Sequence, residues 1–263
     1  MTFDNRIVWI TGASSGIGAA LARAWAEQGA HLVLSARRHE ALHAVRDACA
    51  HPERHLVLPL DLTAPETFQD AARQVLGRYG QIDVLVHNGG ISQRSPAAET
   101  AIEVDRRIME VNFFGAVALT KAVLPSMLER GRGHLVVISS LVGKFGTPMR
   151  SAYAASKHAL HGFFGSLRAE VHDAGLRVTI VCPGYVRTDV SRNALRGDGT
   201  RHGRMDANQE HGLNPDRCAH RILRAVAKER AEVVIAGTEG LAVYLNRFFP
   251  GLFRRVVRRV RPS

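Results

Sequence analysis

The chain has 263 residues, 46% of them hydrophobic and 22% charged, enough to bury a full core and too apolar for a disordered polypeptide. Its three cysteines, Cys49, Cys182 and Cys218, are scattered and odd in number, which argues against a disulfide frame or a zinc site and for a reducing compartment. The net charge of +11 is uneven, because Leu241 to Ser263 carries six arginines and no acidic residue.

In chain order, the apolar run Ile7-Val8-Trp9-Ile10 is too short for a globular helix and suits a buried strand. A glycine-rich stretch, Thr11 to Gly18, leads into an Ala-rich helix over Ala19–Glu27 that Gly29 is expected to cap. His31–Ser35 is a second strand, followed by a helix to about Ala50 and a third strand over Leu56–Asp61. Thr63-Ala64-Pro65-Glu66 has the spacing of a capping box that opens the next helix. Ile82–Val86 is a fourth strand, and helical patterns fill Val104–Glu129, with Pro125 expected to kink or end a turn. His134–Ile138, Arg177–Cys182 and Glu232–Ala236 are further strands, separated by helices over Ser151–Asp173 and Pro215–Lys228. The polar, glycine-dotted 191–213 segment reads as a mobile lid, and 241–263 as a basic amphipathic helix. Such a tail can pack on the protein, over the cleft or against a partner subunit, or can lie on an anionic membrane; nucleic acid is not expected, since no readout motif accompanies the charge.

Short apolar strands alternating with helices predict an α/β protein with a parallel sheet covered on both faces. The strand–glycine turn–helix context makes Gly12, Ser14, Ser15, Gly16, Ile17 and Gly18 a candidate phosphate cradle, because free backbone N–H groups and the helix dipole favour an anion there. Tyr153 and Lys157, four apart on a helix, share one face. A free tyrosine near pKa 10 is a poor acid–base group, and a neighbouring ammonium stabilises tyrosinate and is expected to lower that value. Ser140 ends a parallel strand at the carboxyl edge, where such sheets bind ligands. Taken singly, each has a blander use: a surface pair for Tyr153 and Lys157, a backbone cap for Ser140 or Asn112.

Together, Gly12-x-x-x-Gly16-x-Gly18, Asn88-Gly89-Gly90, Asn112, Ser140, Tyr153-x-x-x-Lys157 and Pro183-Gly184 resemble the short-chain dehydrogenase/reductase family over essentially the whole chain. Gly143-Lys144, Arg150–Lys157 and Ser92-Gln93-Arg94-Ser95 further resemble the subgroup called dehydrogenase/reductase family member 7. The resemblance implies a single doubly wound Rossmann-type domain over 1–240, with a seven-stranded sheet in the order 3-2-1-4-5-6-7. It implies an oxidoreductase that interconverts a carbonyl and an alcohol by hydride transfer, with Tyr153 as acid/base, Lys157 lowering its pKa and Ser140 holding the substrate oxygen. Asn112 is implied to anchor a water beside Lys157. Asp61 and Leu62 are implied to lie at the adenine, Asn88, Gly89, Gly90, Pro183 and Gly184 along the cofactor, and Val186 and Thr188 beside the nicotinamide amide.

No acid follows the second strand, where NAD-preferring enzymes place one; Arg37 and Arg38 stand there instead and favour NADP(H), with NAD(H) still accommodated, unless they merely begin a solvated helix. His87 departs from the family, which usually has asparagine there. The remaining histidines are read as surface residues, and no metal is expected. The expected partner is a small hydrophobic carbonyl or alcohol, and the resemblance implies a homodimer or homotetramer through the two long central helices, with which the apolar Phe163, Phe164 and Leu167 are compatible. An absent signal-peptide pattern and the lack of an uninterrupted apolar run predict a cytoplasmic protein, with peripheral membrane contact left to the tail. A catalytically silent NADP(H)-sensing regulator, or a membrane or nucleic-acid binder acting through the tail, are the rival readings; a sensor would need the glycine cradle but not the acid–base set.

Overall fold

The computed structural model describes residues 3–259, so Arg261 and the rest of the tail's last four residues lie outside it. Seven strands form one sheet: β1 (Ile7–Thr11), β2 (His31–Ser35), β3 (Leu56–Val57), β4 (Val84–His87), β5 (Gly133–Ile138), β6 (Leu176–Pro183) and β7 (Glu232–Ile235). Every pairing is parallel and the order is β3-β2-β1-β4-β5-β6-β7, as the sequence predicts.

Alternation along the strands explains the two cores. Val8 and Ile10 of β1 and Val84 and Val86 of β4 face α1 (Gly16–Ala26) and α2 (His39–Asp47), where Leu21, Trp25 and Leu42 meet them. Their neighbours Trp9 and Leu85 face the opposite way, toward α3 (Phe68–Tyr79), with Phe68 and Val75. That second face is completed by α5 (Gly115–Glu129) and α6 (Ser151–Glu170), which bury Leu119, Val123, Leu160 and Phe164, while α4 (Ile102–Met109) packs Val104 and Ile108 against Ala152 of α6. A short turn, α7 (Ala207–Glu210), precedes α8 (Pro215–Ala227), which returns to the first face and is capped by Asn214, whose side-chain oxygen accepts from the Asp216 and Arg217 amides. The chain ends in α9 (Leu241–Phe248) and α10 (Pro250–Val257).

Several local expectations are corrected. Helix α1 ends at Ala26 with Glu27 as its cap, and Gly29, at φ +81°, belongs to the following turn. No capping box forms at Thr63: its hydroxyl donates to Asp61 Oδ1 at 2.9 Å, closing a side-chain turn instead. Pro125 lies inside α5 without ending it. A π turn, Glu110–Phe114, joins α4 to α5. Pro250 breaks the tail into two helices. Of the three side chains expected at an oligomer face, Phe164 and Leu167 are buried in the chain's own core and Phe163 is half-buried; Ile102, Phe114 and Leu128 are the exposed large apolar side chains on α4 and α5 and the turn between them.

The continuous helical run Ile102–Glu129 is long and apolar enough to cross a membrane by length and composition, contrary to the sequence reading. In the fold, its Ile108, Leu119, Val123 and Met127 are core residues.

Candidate active site

At the carboxyl ends of the strands lies one cleft of about 810 Å³. The glycine loop after β1 forms its floor. Thr11 Oγ1 accepts from the amides of Asn88 and Gly89, each at 3.1 Å, and Asn88 Nδ2 donates to the carbonyls of Thr11 (3.0 Å) and Gly12 (3.2 Å). Asn88 therefore straps the loop to the end of β4. Gly12 has φ +63°, and a Cβ there would stand 2.7 Å from Gly89 Cα; one on Gly18 would stand 2.6 Å from Asn88 Nδ2. Neither tolerates a side chain, and the backbone N–H groups opening α1 stay open to the cleft.

At one end of this cradle, Arg38 Nη2 donates to the hydroxyls of Ser14 (3.1 Å) and Ser15 (3.3 Å), with Arg37 also on the cleft wall. Asp61 lies across from them. Its burial, which raises a carboxyl pKa, is outweighed by the Thr63 amide and hydroxyl and by Arg37 and Arg107, so the acid sits below its ordinary value.

At the other end stand Ser140, Tyr153 and Lys157. Ser140 stands two residues beyond β5 and caps the turn Leu141–Gly143, accepting from the Val142 amide. Lys157 is buried; its Nζ donates to the Ile138 carbonyl at 2.8 Å and lies 5.7 Å from the Tyr153 ring centre. Burial lowers the Lys157 pKa to about 8. The Tyr153 phenol is instead raised, because burial outweighs Arg150, the Ser140 hydrogen bond and Arg94. This corrects the expectation that the neighbouring ammonium lowers it: the protein's own groups leave Tyr153 protonated at neutral pH.

Ile17, Leu62, Asn88, Gly89, Gly90, Pro183, Gly184, Val186 and Thr188 all line the cleft, with Gly12, Ser14, Ser15, Gly16, Arg37, Arg38 and Asp61. Gly18 and Asn112 do not; Gly18 lies beneath the loop. The π turn carries Asn112 behind Gly90, where both amide hydrogens are engaged, with the Ile91 carbonyl (2.9 Å) and Ser156 Oγ (3.0 Å). Its side chain ties the β4 loop to α6.

The 191–213 segment is hydrogen-bonded to the cleft wall at two places. Asp206 is buried between Arg94 and Arg150, accepting from Arg94 Nε at 2.8 Å and from Arg150 Nη2 at 3.4 Å. Gln209 donates to the carbonyl of Val186 and to Thr188 Oγ1. The sequence reading missed the cleft residues Arg107 and Glu239 and the tail residues Leu245 and Phe253, none of which sits in a recognisable motif, and Tyr185, which stands inside the Pro183–Thr188 stretch.

His87 is buried, with Nε2 2.7 Å from Thr120 Oγ1 and Nδ1 without a partner among the described residues. Burial lowers its pKa to about 3, so it is neutral. His39-Glu40-Ala41-Leu42-His43 has a spacing used by metal-binding helices, where the sequence reading found none among the histidines; the exposed His39 and half-buried His43 rings place their Nε2 atoms 3.1 Å apart. His161, Cys182 and Glu232 also cluster. There the imidazole presents Nε2 to Cys182 (3.7 Å) and Nδ1 to Glu232 (3.6 Å), so its nitrogens face opposite partners instead of converging on one ion.

A family model described as short chain dehydrogenase matches residues 6–198. The chain is 43% identical to a dehydrogenase/reductase SDR family protein 7-like of Drosophila melanogaster, over 95% of this chain and 78% of that protein. It is 42% identical to dehydrogenase/reductase SDR family member 7B of Mus musculus, over 96% and 80%. Among solved structures, a short-chain dehydrogenase from Streptomyces avermitilis superposes with TM-score 0.83 at 32% identity, covering 97% and 98% of the two chains. An alcohol dehydrogenase from Thermococcus sibiricus, complexed with 5-hydroxy-NADP, gives 0.74 at 27% identity over 89% and 97%. A Burkholderia phymatum short chain dehydrogenase/reductase in complex with NAD gives 0.83 at 22% identity, over 100% of this chain and 98% of that one, a likeness of fold.

Proposed function

The chain belongs to the short-chain dehydrogenase/reductase family, and from that premise we propose that it is an NADP(H)-dependent oxidoreductase acting on a carbonyl and its alcohol. The observation that carries the reading is one cleft holding a side-chain-free glycine cradle at one end and Ser140, Tyr153 and Lys157 at the other. Solved relatives bound to NAD and to an NADP derivative support a nicotinamide cofactor. The Arg38 contact with Ser14 and Ser15 supports the phosphorylated form, since a guanidinium beside open helix amides is a site for a 2′-phosphate.

When bound, the nicotinamide supplies or accepts the hydride. The protein's residues do the rest. Ser140 donates to the substrate oxygen, where negative charge grows during reduction. Tyr153, protonated at neutral pH, gives that oxygen its proton. Lys157, fixed by the Ile138 carbonyl, keeps a positive charge near the phenol as it ionises. Leu141, Val142, Phe145 and Phe253 wall the cleft with apolar surface, which favours a hydrophobic substrate. Consumption of NADPH across a panel of aldehydes and ketones tests the reading. Turnover with an apolar carbonyl supports it; tight NADPH binding with no turnover across the panel would favour a cofactor sensor.

A further inference from the structure

The tail has two faces, and the catalytic reading uses only one. The inner face closes the mouth of the cleft: Phe253 is buried with its ring centre 5.0 Å from that of Phe145, and Asn246 Nδ2 donates to the Lys144 carbonyl at 3.1 Å. The outer face is apolar and uncovered. Leu241, Tyr244 and Phe248 form one stripe and Phe249, Leu252 and Val256 another, at spacings of three and four residues, and all six are between 46% and 67% exposed. They are six of the nine large hydrophobic side chains exposed among the described residues. Arg247, Arg254, Arg255, Arg258 and Arg259 flank them, also exposed, with no acidic residue in 241–263.

We propose that this outer face docks on an anionic lipid surface, with α9 and α10 lying in the interface. Aqueous surfaces rarely gather so much large apolar side chain in so short a stretch. Aromatic and aliphatic stripes between arginines are complementary to a surface that is apolar beneath and negative above. A second copy fits the face less well: a two-fold contact would set arginine rows against each other with no acid on either tail to pair them. Docking would also set the apolar rim of the cleft, Ala242, Leu245 and Val256, beside the lipid. That last consequence rests on the catalytic reading; the docking itself does not.

The test is sedimentation of the full chain with vesicles, which needs no turnover. Phosphatidylglycerol mixed into phosphatidylcholine is expected to bind the protein, with affinity falling as salt rises, and phosphatidylcholine alone to bind it at least roughly ten-fold more weakly. Replacing Arg254, Arg255 and Arg258 together by Gln is expected to cost roughly 100-fold in affinity, at about 5-fold per arginine. Phe248→Ser with Leu252→Ser changes only exposed side chains and is expected to abolish binding while leaving the melting temperature unchanged. Equal binding to both vesicle types, or binding retained in both variants, would overturn the proposal. So would a concentration-dependent dimer that the Phe248→Ser, Leu252→Ser variant dissolves in the absence of lipid binding, which would give the face to a second copy.

Discussion

The Lys157 ammonium and the Tyr153 phenol share a face of α6, with Nζ 5.7 Å from the ring centre, yet Lys157 directs its hydrogen bond to the Ile138 carbonyl. The lysine is thus an electrostatic neighbour of the phenol, not its hydrogen-bonding partner. Its charge has a pH limit, because its pKa lies at about 8. Below that value Lys157 is cationic and Tyr153 protonated, the state suited to carbonyl reduction. The reductive rate is therefore expected to hold at neutral pH and decline above about 8. Lys157→Met is expected to lose roughly 100-fold or more in kcat, read by steady-state kinetics in both directions.

Cofactor choice is expected to rest on Arg38. Arg38→Ala removes the guanidinium that reaches Ser14 and Ser15. It is expected to weaken NADPH binding by roughly 10- to 100-fold, the worth of a charged hydrogen bond, and to leave NADH binding within about two-fold. Fluorescence titration of both cofactors checks this; an equal loss for both would remove Arg38 from the 2′-phosphate site.

Asp206 is the single carboxylate between two buried guanidiniums. Asp206→Asn keeps the shape and leaves Arg94 and Arg150 facing each other without their anion. A loss of about 3–5 kcal/mol in unfolding free energy is expected, measured by urea denaturation.

Acid stability is expected to be set in part by buried histidines. Burial depresses His87 to about 3 and His134 to about 4 from an ordinary 6.5. Between those values and 6.5 the unfolded chain binds protons that the folded chain does not, so stability falls as pH drops through that window. Thr120→Val removes the one side-chain hydrogen-bond partner of the His87 ring among the described residues and is expected to cost about 1–3 kcal/mol at neutral pH. Thermal melts from pH 7 to pH 4 check both.

What the sequence made legible was local or repeated in pattern. The strands were readable because each is a short apolar run bounded by polar turns, and their order came with the family resemblance. The glycine loop was readable because Gly12 and Gly18 sit where a Cβ would collide with Gly89 or Asn88. What escaped depends on residues distant in sequence. Arg94 meets Asp206 across 112 positions, and nothing in the polar run around Asp206 distinguishes a tethered segment from a loose one. The Tyr153 shift went the wrong way because helix spacing identifies Lys157 as a neighbour but does not report how deeply the phenol is buried. The tail's period was visible, while its break at Pro250 and the docking of Phe253 on Phe145 depend on a surface built by other elements.

The central claim is that Tyr153 transfers the proton in an NADPH-dependent reduction. Its most direct test compares wild type and Tyr153→Phe in single-turnover reduction of an accepted carbonyl, with NADPH binding measured alongside. Phenylalanine keeps the ring and removes only the hydroxyl. The expected result is NADPH affinity within about two-fold of wild type and a hydride-transfer rate lowered by roughly 100- to 10,000-fold. A rate retained within a few-fold, with binding intact, would contradict the account.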